Sequence, residues 1–197
     1  MRSLLICFLI LNSIVVEGQI FSGEYDSDLR IAYNPESKTI TGYYEGYSGY
    51  DESTGNPRFS CIFYIIGKYL NNESTIETYF PKSKEKDKII GKLKIKEAGI
   101  ISISLPEEHG GCWNVNHFAD GFVDFKLHTK EDWIEIRYIE TEKSNFYSEN
   151  NENSKRKSYL IKGDIVFIDK IDGEWIHCYY YGKSITTGWI KKETINN

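Results

Sequence analysis

The densest run of reactive side chains is Glu107-Glu108-His109-Gly110-Gly111-Cys112-Trp113, with His117 and Asp120 close behind. Three kinds of chemistry can be drawn from it. A metal site would use His109, Cys112 and His117. Structural zinc, however, wants four ligands and a paired Cys-x-x-Cys or His-x-x-x-His element, which this spacing lacks. A thiol nucleophile would be Cys112, with His109 or His117 as base and a third group to orient it. A carboxylate pair for glycoside hydrolysis would come from Glu107, Glu108 and Asp120. Glu107 and Glu108 are adjacent, and on a strand they would point to opposite faces. No catalytic residue, metal or cofactor is assigned from the sequence.

The reading preferred for this run is a recognition loop. Pro106 ends the strand before it, Gly110-Gly111 permits a tight reversal, and Cys112 can be stapled to Cys61 beneath. A charged loop held on a rigid β scaffold is a good contact surface, which makes Glu107, Glu108, His109 and Trp113 binding residues, with Trp113 as anchor. The second candidate is Tyr43-Tyr44-Glu45-Gly46-Tyr47-Ser48-Gly49-Tyr50. Tyr, Ser and Gly together give adaptable contacts at modest entropic cost, so Tyr43, Tyr44 and Tyr47 join the binding set. The bland alternative is strand aromatics followed by a loop. Asn72-Glu73-Ser74 fits the glycosylation acceptor pattern, which matters only in a eukaryotic host.

The elements that must position these residues begin after residue 19. Arg2 followed by the uncharged run from Leu4 to Leu11 and a small-residue exit at Val16-Glu17-Gly18 is a secretory signal peptide, with cleavage after Gly18 or Gln19. Its apolar run is shorter than the ~20 residues that span a bilayer, and no later run approaches that length. The expected product is periplasmic or secreted, without a transmembrane segment. Its net charge stays at −5, because Arg2 and Glu17 leave together, and that argues against nucleic acid as partner. Of the three remaining cysteines two can pair in an oxidising compartment. Cys61–Cys112 is favoured among the three pairings because both lie in one expected domain. Cys178 reads as a small buried hydrophobe.

Period-2 alternation and short β-branched runs dominate, and 15 Tyr against one Met lean towards strands. Strands are expected near residues 29–33, 39–45, 59–66, 76–80, 92–96, 100–105, 122–127 and 133–138. Lys92-Leu93-Lys94-Ile95-Lys96 should turn its lysines out and its aliphatics in. Eight short strands with turn signals between them predict a small antiparallel barrel or sandwich over residues 20–140. Residues 82–88 form a charged loop, and residues 140–157 are polar apart from Phe146 and Tyr147.

The last stretch carries four landmarks in order. These are a first strand with a polar loop ending in Asn153-Ser154, Leu160-Ile161-Lys162-Gly163-Asp164, Gly173-Glu174-Trp175, and Thr187-Gly188-Trp189-Ile190. It resembles the bacterial SH3 domain family over roughly 50 residues, here 145–195. The resemblance implies an SH3-like barrel, so the whole chain is expected to be all-β, a barrel or sandwich followed by that unit. Trp175, Ile176 and Trp189 are expected to give a small core its bulk. The resemblance also implies an aromatic ligand groove, lined by Tyr147, Tyr179, Tyr180 and Tyr181. Ser22-Gly23-Glu24-Tyr25 and Thr41-Gly42-Tyr43-Tyr44 resemble the openings of small secreted calycin-like barrels, including periplasmic lysozyme inhibitors, and no inhibitory residue is carried over.

The expected function is an exported binding protein in an inhibitor, immunity-type or adaptor role, whose partner is a protein or a peptidoglycan fragment of the cell envelope. The rival is a cell-envelope hydrolase with an SH3-like targeting domain. Whether Cys112 is bonded or free separates the two.

Overall fold

The computed structural model describes residues 20–26, 28–70, 72–81 and 87–196. The signal peptide expected over residues 1–19 and most of the charged loop after Pro81 lie outside them. The described chain is all-β: an eight-stranded closed antiparallel barrel and a second, six-stranded sheet.

The barrel strands are β1 (Gly23–Tyr25), β2 (Leu29–Asn34), β3 (Thr39–Ser48), β4 (Phe59–Lys68), β5 (Glu73–Tyr79), β6 (Ile89–Glu97), β7 (Ile100–Ser104) and β8 (Val123–Lys130). Each pairs with its neighbour in sequence, and β8 closes on β1 with Gly23 opposite Lys130. The sequence left barrel and sandwich open; closure makes it a barrel, which removes every edge that would expose unpaired backbone groups. Alternation sets the core. On β6, Ile89, Leu93 and Ile95 point inward while Lys92 and Lys94 sit outside and pair with Glu73. Leu29, Ile31, Ile40, Tyr44, Phe63, Ile65, Ile76 and Phe125 complete the filling from the other strands.

The second sheet holds β9 (Glu135–Tyr138), β10 (Lys143–Tyr147), β11 (Lys155–Ile161), β12 (Ile165–Asp172), β13 (Trp175–Tyr181) and β14 (Ile185–Lys191), in the order β11-β10-β14-β13-β12-β9. Its core is Ile139, Phe146, Leu160, Val166, Ile168, Ile176, Cys178, Ile190 and Ile195. Gly163, at φ 87°, makes the turn between β11 and β12 in a conformation that favours glycine. That turn is fastened by Asp164, whose carboxylate accepts the Ile161 amide at 2.8 Å.

Two sequence expectations need correcting here. The strand at 133–138 was counted with the first set, but β9 is hydrogen-bonded to β12, with Phe167 opposite Ile136. The eighth barrel strand is β1 instead. The second correction concerns the tryptophans. Ile176 is in the core, but Trp175 and Trp189 are half-buried on the opposite face, because Ile176 and Ile190 occupy the inward positions of the β13–β14 pair.

β9 also joins the two sheets. The Ile136 amide donates to Thr41 Oγ1 at 2.7 Å, and the Tyr64 hydroxyl donates to the Ile136 carbonyl at 2.9 Å. Ala32 packs with Trp133, Ile136 and Phe167, while Tyr64, Tyr79 and Tyr138 form a neighbouring buried cluster. The chain end locks β9 from the other side. Ile195 bridges Ile139, and the Tyr138 amide donates to Asn196 Oδ1 at 2.8 Å.

Candidate functional site

The Glu107–Asp120 run caps one end of the barrel. Cys112 is disulfide-bonded to Cys61, with Cα atoms 4.3 Å apart. Gly111 makes this possible. Its φ is 87°, and a Cβ there would sit 2.1 Å from the Ser60 carbonyl oxygen, so any side chain would push the cap off β4. Beyond the disulfide, Phe118 is fully buried against Tyr44, Phe63 and Phe125. The loop is therefore a lid built into the core.

Its polar groups serve the same end. Glu108 Oε1 accepts the Ala119 amide at 2.7 Å. His109 stacks on Phe63 with ring centroids 5.1 Å apart, and its Nε2 lies 2.7 Å from Thr78 Oγ1. Burial pushes the His109 imidazole below its ordinary pKa, favouring the neutral ring. His117 faces Asp120 at 3.5 Å on the surface. With Cys112 bonded, no thiolate is available for attack at this site, and His109 is committed to Thr78. Among the described residues no group of three or more His, Cys, Asp or Glu is placed to hold a metal ion. Glu107 and Trp113 remain outside, Trp113 at 57% exposure with its ring edge-on to His117.

The Tyr/Gly stretch divides by strand alternation. Tyr44 was expected at a binding surface and is instead fully buried, because it faces into the barrel with Phe63, Phe118 and Phe125. Tyr43 faces outward but lies half-covered beside the Ala32–Trp133–Phe167 cluster. Tyr47 is exposed, and its hydroxyl donates to Glu45.

An aromatic row lies elsewhere, on the face of the second sheet opposite its core. Trp175, His177 and Trp189 are partly open there, whereas Tyr179 and Tyr181 pack at the Trp133–Phe167 cluster that joins the two sheets. Trp175, His177, Tyr179 and Tyr181 alternate along β13 on the side away from Ile176 and Cys178. Trp189 lies opposite His177 in the register, and Tyr147 opposite Trp189. Tyr147 packs edge-on to Trp175 at 4.8 Å, His177 on Trp189 at 5.4 Å and on Tyr179 at 5.7 Å. Tyr147 is largely covered by its neighbours, Tyr179 is half-buried and Tyr181 exposed. Tyr180, expected in the groove, turns the other way and packs on the second core.

Charges frame this surface. Lys191 sits 4.7 Å over the Trp175 ring, and Lys170 5.5 Å over Trp189. Asp169 Oδ1 lies 2.7 Å from His177 Nδ1, and His177 Nε2 lies 3.2 Å from Thr187 Oγ1. The sequence reading passed over this acid–imidazole–hydroxyl row. The signal for it was Asp169 and His177 on either side of the Asp172-Gly173 turn, eight residues apart. The row lies on an open strand face, where it fixes the imidazole between Trp189 and Tyr179.

No family model, curated protein or solved structure matches the chain.

Proposed function

We propose that this chain is an exported binding protein whose second sheet, together with Ile195, forms an SH3-like unit, and whose aromatic outer face meets a peptidoglycan fragment or a protein of the cell envelope. The observation that carries the reading is that face itself. Rigid rings with polar edges (Trp175, His177, Tyr179 and Trp189) line up across adjacent strands and are only partly covered. Such rings give large contact area at small entropic cost, and the flanking lysines and Asp169 can meet both signs of charge. Export is supported by the apolar run near the N-terminus and by a disulfide of the kind that persists in oxidising compartments. Among the described residues no helix is long and apolar enough to cross a membrane. The SH3-like reading is supported by the four sequence landmarks and by the 3-10 turn Lys192–Thr194, which returns the chain to Ile139.

Two arms test the reading. In the first, tryptophan fluorescence is followed while soluble peptidoglycan fragments are titrated into the protein. In the second, a photo-crosslinking residue at Tyr179 is used in an envelope extract and the adduct is identified. A saturable signal or a single adduct, abolished by the Trp175→Ala/Trp189→Ala double variant, is the expected outcome. No saturation and no adduct, or signals that persist in the double variant, would remove this face from any binding role.

A further inference from the structure

The second sheet has two outer strands, β9 and β11, and they differ in what covers them. β9 meets the barrel, where the Ile136 amide is bonded to Thr41 and the Ile136 carbonyl to Tyr64. β11 pairs with β10 alone among the described strands, so one of its long edges is open. The Ile161 amide shows which groups lie along that edge. It donates to Asp164 Oδ2 at 2.8 Å, on the side away from β10. Alternation along an antiparallel strand turns the Tyr159 amide and carbonyl the same way, where no described strand receives them.

The side chains of β11 give this edge a sign and an apolar end. Leu160 is buried in the second core, while Lys155, Lys157, Tyr159 and Ile161 alternate with it and are all exposed. Tyr159 at 53% and Ile161 at 54% exposure are adjoining apolar side chains left open to solvent. The Lys143 ammonium of β10 lies 4.1 Å from the centre of the Tyr159 ring. Arg156 is committed elsewhere, its Nη1 donating to the Thr187 carbonyl at 2.6 Å. Glu152, which lies near Lys155, is already paired with Lys191. Lys155 and Lys157 are therefore left without an ion pair among the described residues.

We infer that the open edge of β11 receives an extended acidic segment of a partner protein as a further strand of the sheet. Its carboxylates would oppose Lys155 and Lys157, and its apolar side chains would cover Tyr159 and Ile161. The backbone decides for a peptide over an anionic polysaccharide, because only a peptide supplies the amides and carbonyls that an open strand edge lacks. Charge decides for an acidic one. Cross-strand pairs of opposite sign stabilise a ladder and like charges oppose it. A second copy of this chain is disfavoured on the same ground. Two β11 strands would bring two Lys155-Arg156-Lys157 runs onto one short ladder with nothing to neutralise them. This edge is distinct from the aromatic face proposed above and does not depend on it.

The test titrates the full chain into a fluorescein-labelled peptide, acetyl-Val-Thr-Val-Thr-Glu-Thr-Glu-amide, and follows fluorescence anisotropy. Running antiparallel to β11, this probe sets its valines over Ile161 and Tyr159 and its glutamates over Lys157 and Lys155. Saturable binding is expected, with hydrogen exchange slowed at the Tyr159 amide. A probe with lysine in place of glutamate should bind roughly tenfold more weakly or worse, the scale of two exposed ion pairs lost. Lys155→Glu/Lys157→Glu should produce a loss of similar size at unchanged thermal stability, since both side chains are exposed. Two N-methylated probes separate strand addition from charge attraction. One carries its methyl groups on the threonine amides, the other on the valine and glutamate amides. Only one of these sets can face β11, so one isomer should bind and the other should not. No saturable binding, undiminished binding of the lysine probe or by the double variant, like behaviour of the two isomers, or exchange protection that spares β11 would each overturn the proposal.

Discussion

The barrel and the second sheet spend the same kind of residue in opposite ways. In the barrel Tyr44, Phe63, Phe118 and Phe125 turn inward and meet ring to ring, and the centre is filled by aromatics. In the second sheet aliphatics do most of that work, with Val166, Ile168, Ile176 and Ile190 inside, while Trp175, His177 and Trp189 are half-exposed on the opposite face and Tyr179 there meets the Trp133–Phe167 cluster. The cause is the period of two along a strand. On β3 the sequence Tyr43-Tyr44 puts one ring in and one out. On β13, Trp175-Ile176-His177-Cys178-Tyr179 puts its rings on the face away from the core, and Tyr180 alone turns inward. Aromatic content by itself therefore does not locate a core, and an outward register leaves rings free to serve as a contact surface.

The largest expected effect tests the barrel half of this contrast. Phe63→Ala removes a ring that is fully buried against Tyr44, Phe118 and His109. It should cost about 3–5 kcal/mol in denaturant unfolding. A loss below about 1 kcal/mol would mean that the barrel centre is not where its stability resides, and the contrast would break.

The disulfide sharpens the same contrast, because it staples only the barrel. Its cysteines are 51 residues apart, so chain entropy gives roughly 4 kcal/mol, less whatever structure the reduced chain retains. Cys61→Ala/Cys112→Ala should lower stability by about 2–4 kcal/mol while leaving the surroundings of Trp175 and Trp189 unchanged in fluorescence. In a form of the parent that begins at residue 20, and so lacks Cys7, thiol titration should find one thiol, Cys178, only after denaturation, since the native thiol is buried and its pKa is pushed far up by that burial. Reaction in the native state, or three thiols in the denatured one, would contradict this.

Much of this was legible in the sequence, for reasons that differ by element. The lysine-out, aliphatic-in pattern of β6 and the Cys61–Cys112 pair could be read from alternation and from two cysteines lying within one expected domain. The membership of the barrel could not. β1 is three residues long, Gly23-Glu24-Tyr25, too short to show a period, whereas residues 133–138 alternate as cleanly as any barrel strand. Only pairing distinguishes them, and pairing is non-local. The tryptophans misled for a related reason. Size suggested core, but neighbouring Ile176 and Ile190 held the inward positions. At the cap, residue types that could do chemistry were legible, but what engaged each of them was not. Glu108, His109 and Cys112 have partners at Ala119, Thr78 and Cys61, distant in sequence for all but the first.

A smaller effect tests the sheet half. Trp189→Ala removes a half-buried ring whose contacts are His177 and the Lys170 ammonium. Its expected cost is about 1 kcal/mol, the scale of one aromatic pair and one cation–π contact at a partly exposed site. Measured beside Phe63→Ala, it should fall several-fold short. A loss of 3 kcal/mol or more, the scale of a core truncation, would place Trp189 energetically in the core and weaken the case for the outer face as a contact surface.

The smallest expected effect concerns His109, where a polar group was accepted into the barrel cap. Burial lowers its pKa in the folded state, while in the unfolded chain the imidazole titrates near 6.5. Above that value the ring is neutral in both states and its contribution to stability is complete. As pH falls below about 6.5, the unfolded chain takes up a proton that the folded one resists, so stability declines. The decline from this residue ends once pH has passed the lowered folded value, where both states are charged. His109→Gln keeps a polar partner for Thr78 and removes the titration. Unfolding free energy should therefore fall less steeply between pH 6.5 and 5 in the variant than in the parent. His117, His128 and His177 are common to both proteins, so the difference in slopes isolates the cap. Parallel profiles would show that His109 is as solvated as a surface imidazole. The cap would then be a loosely held loop, and the barrel would lose its claim to be the closed half of the molecule.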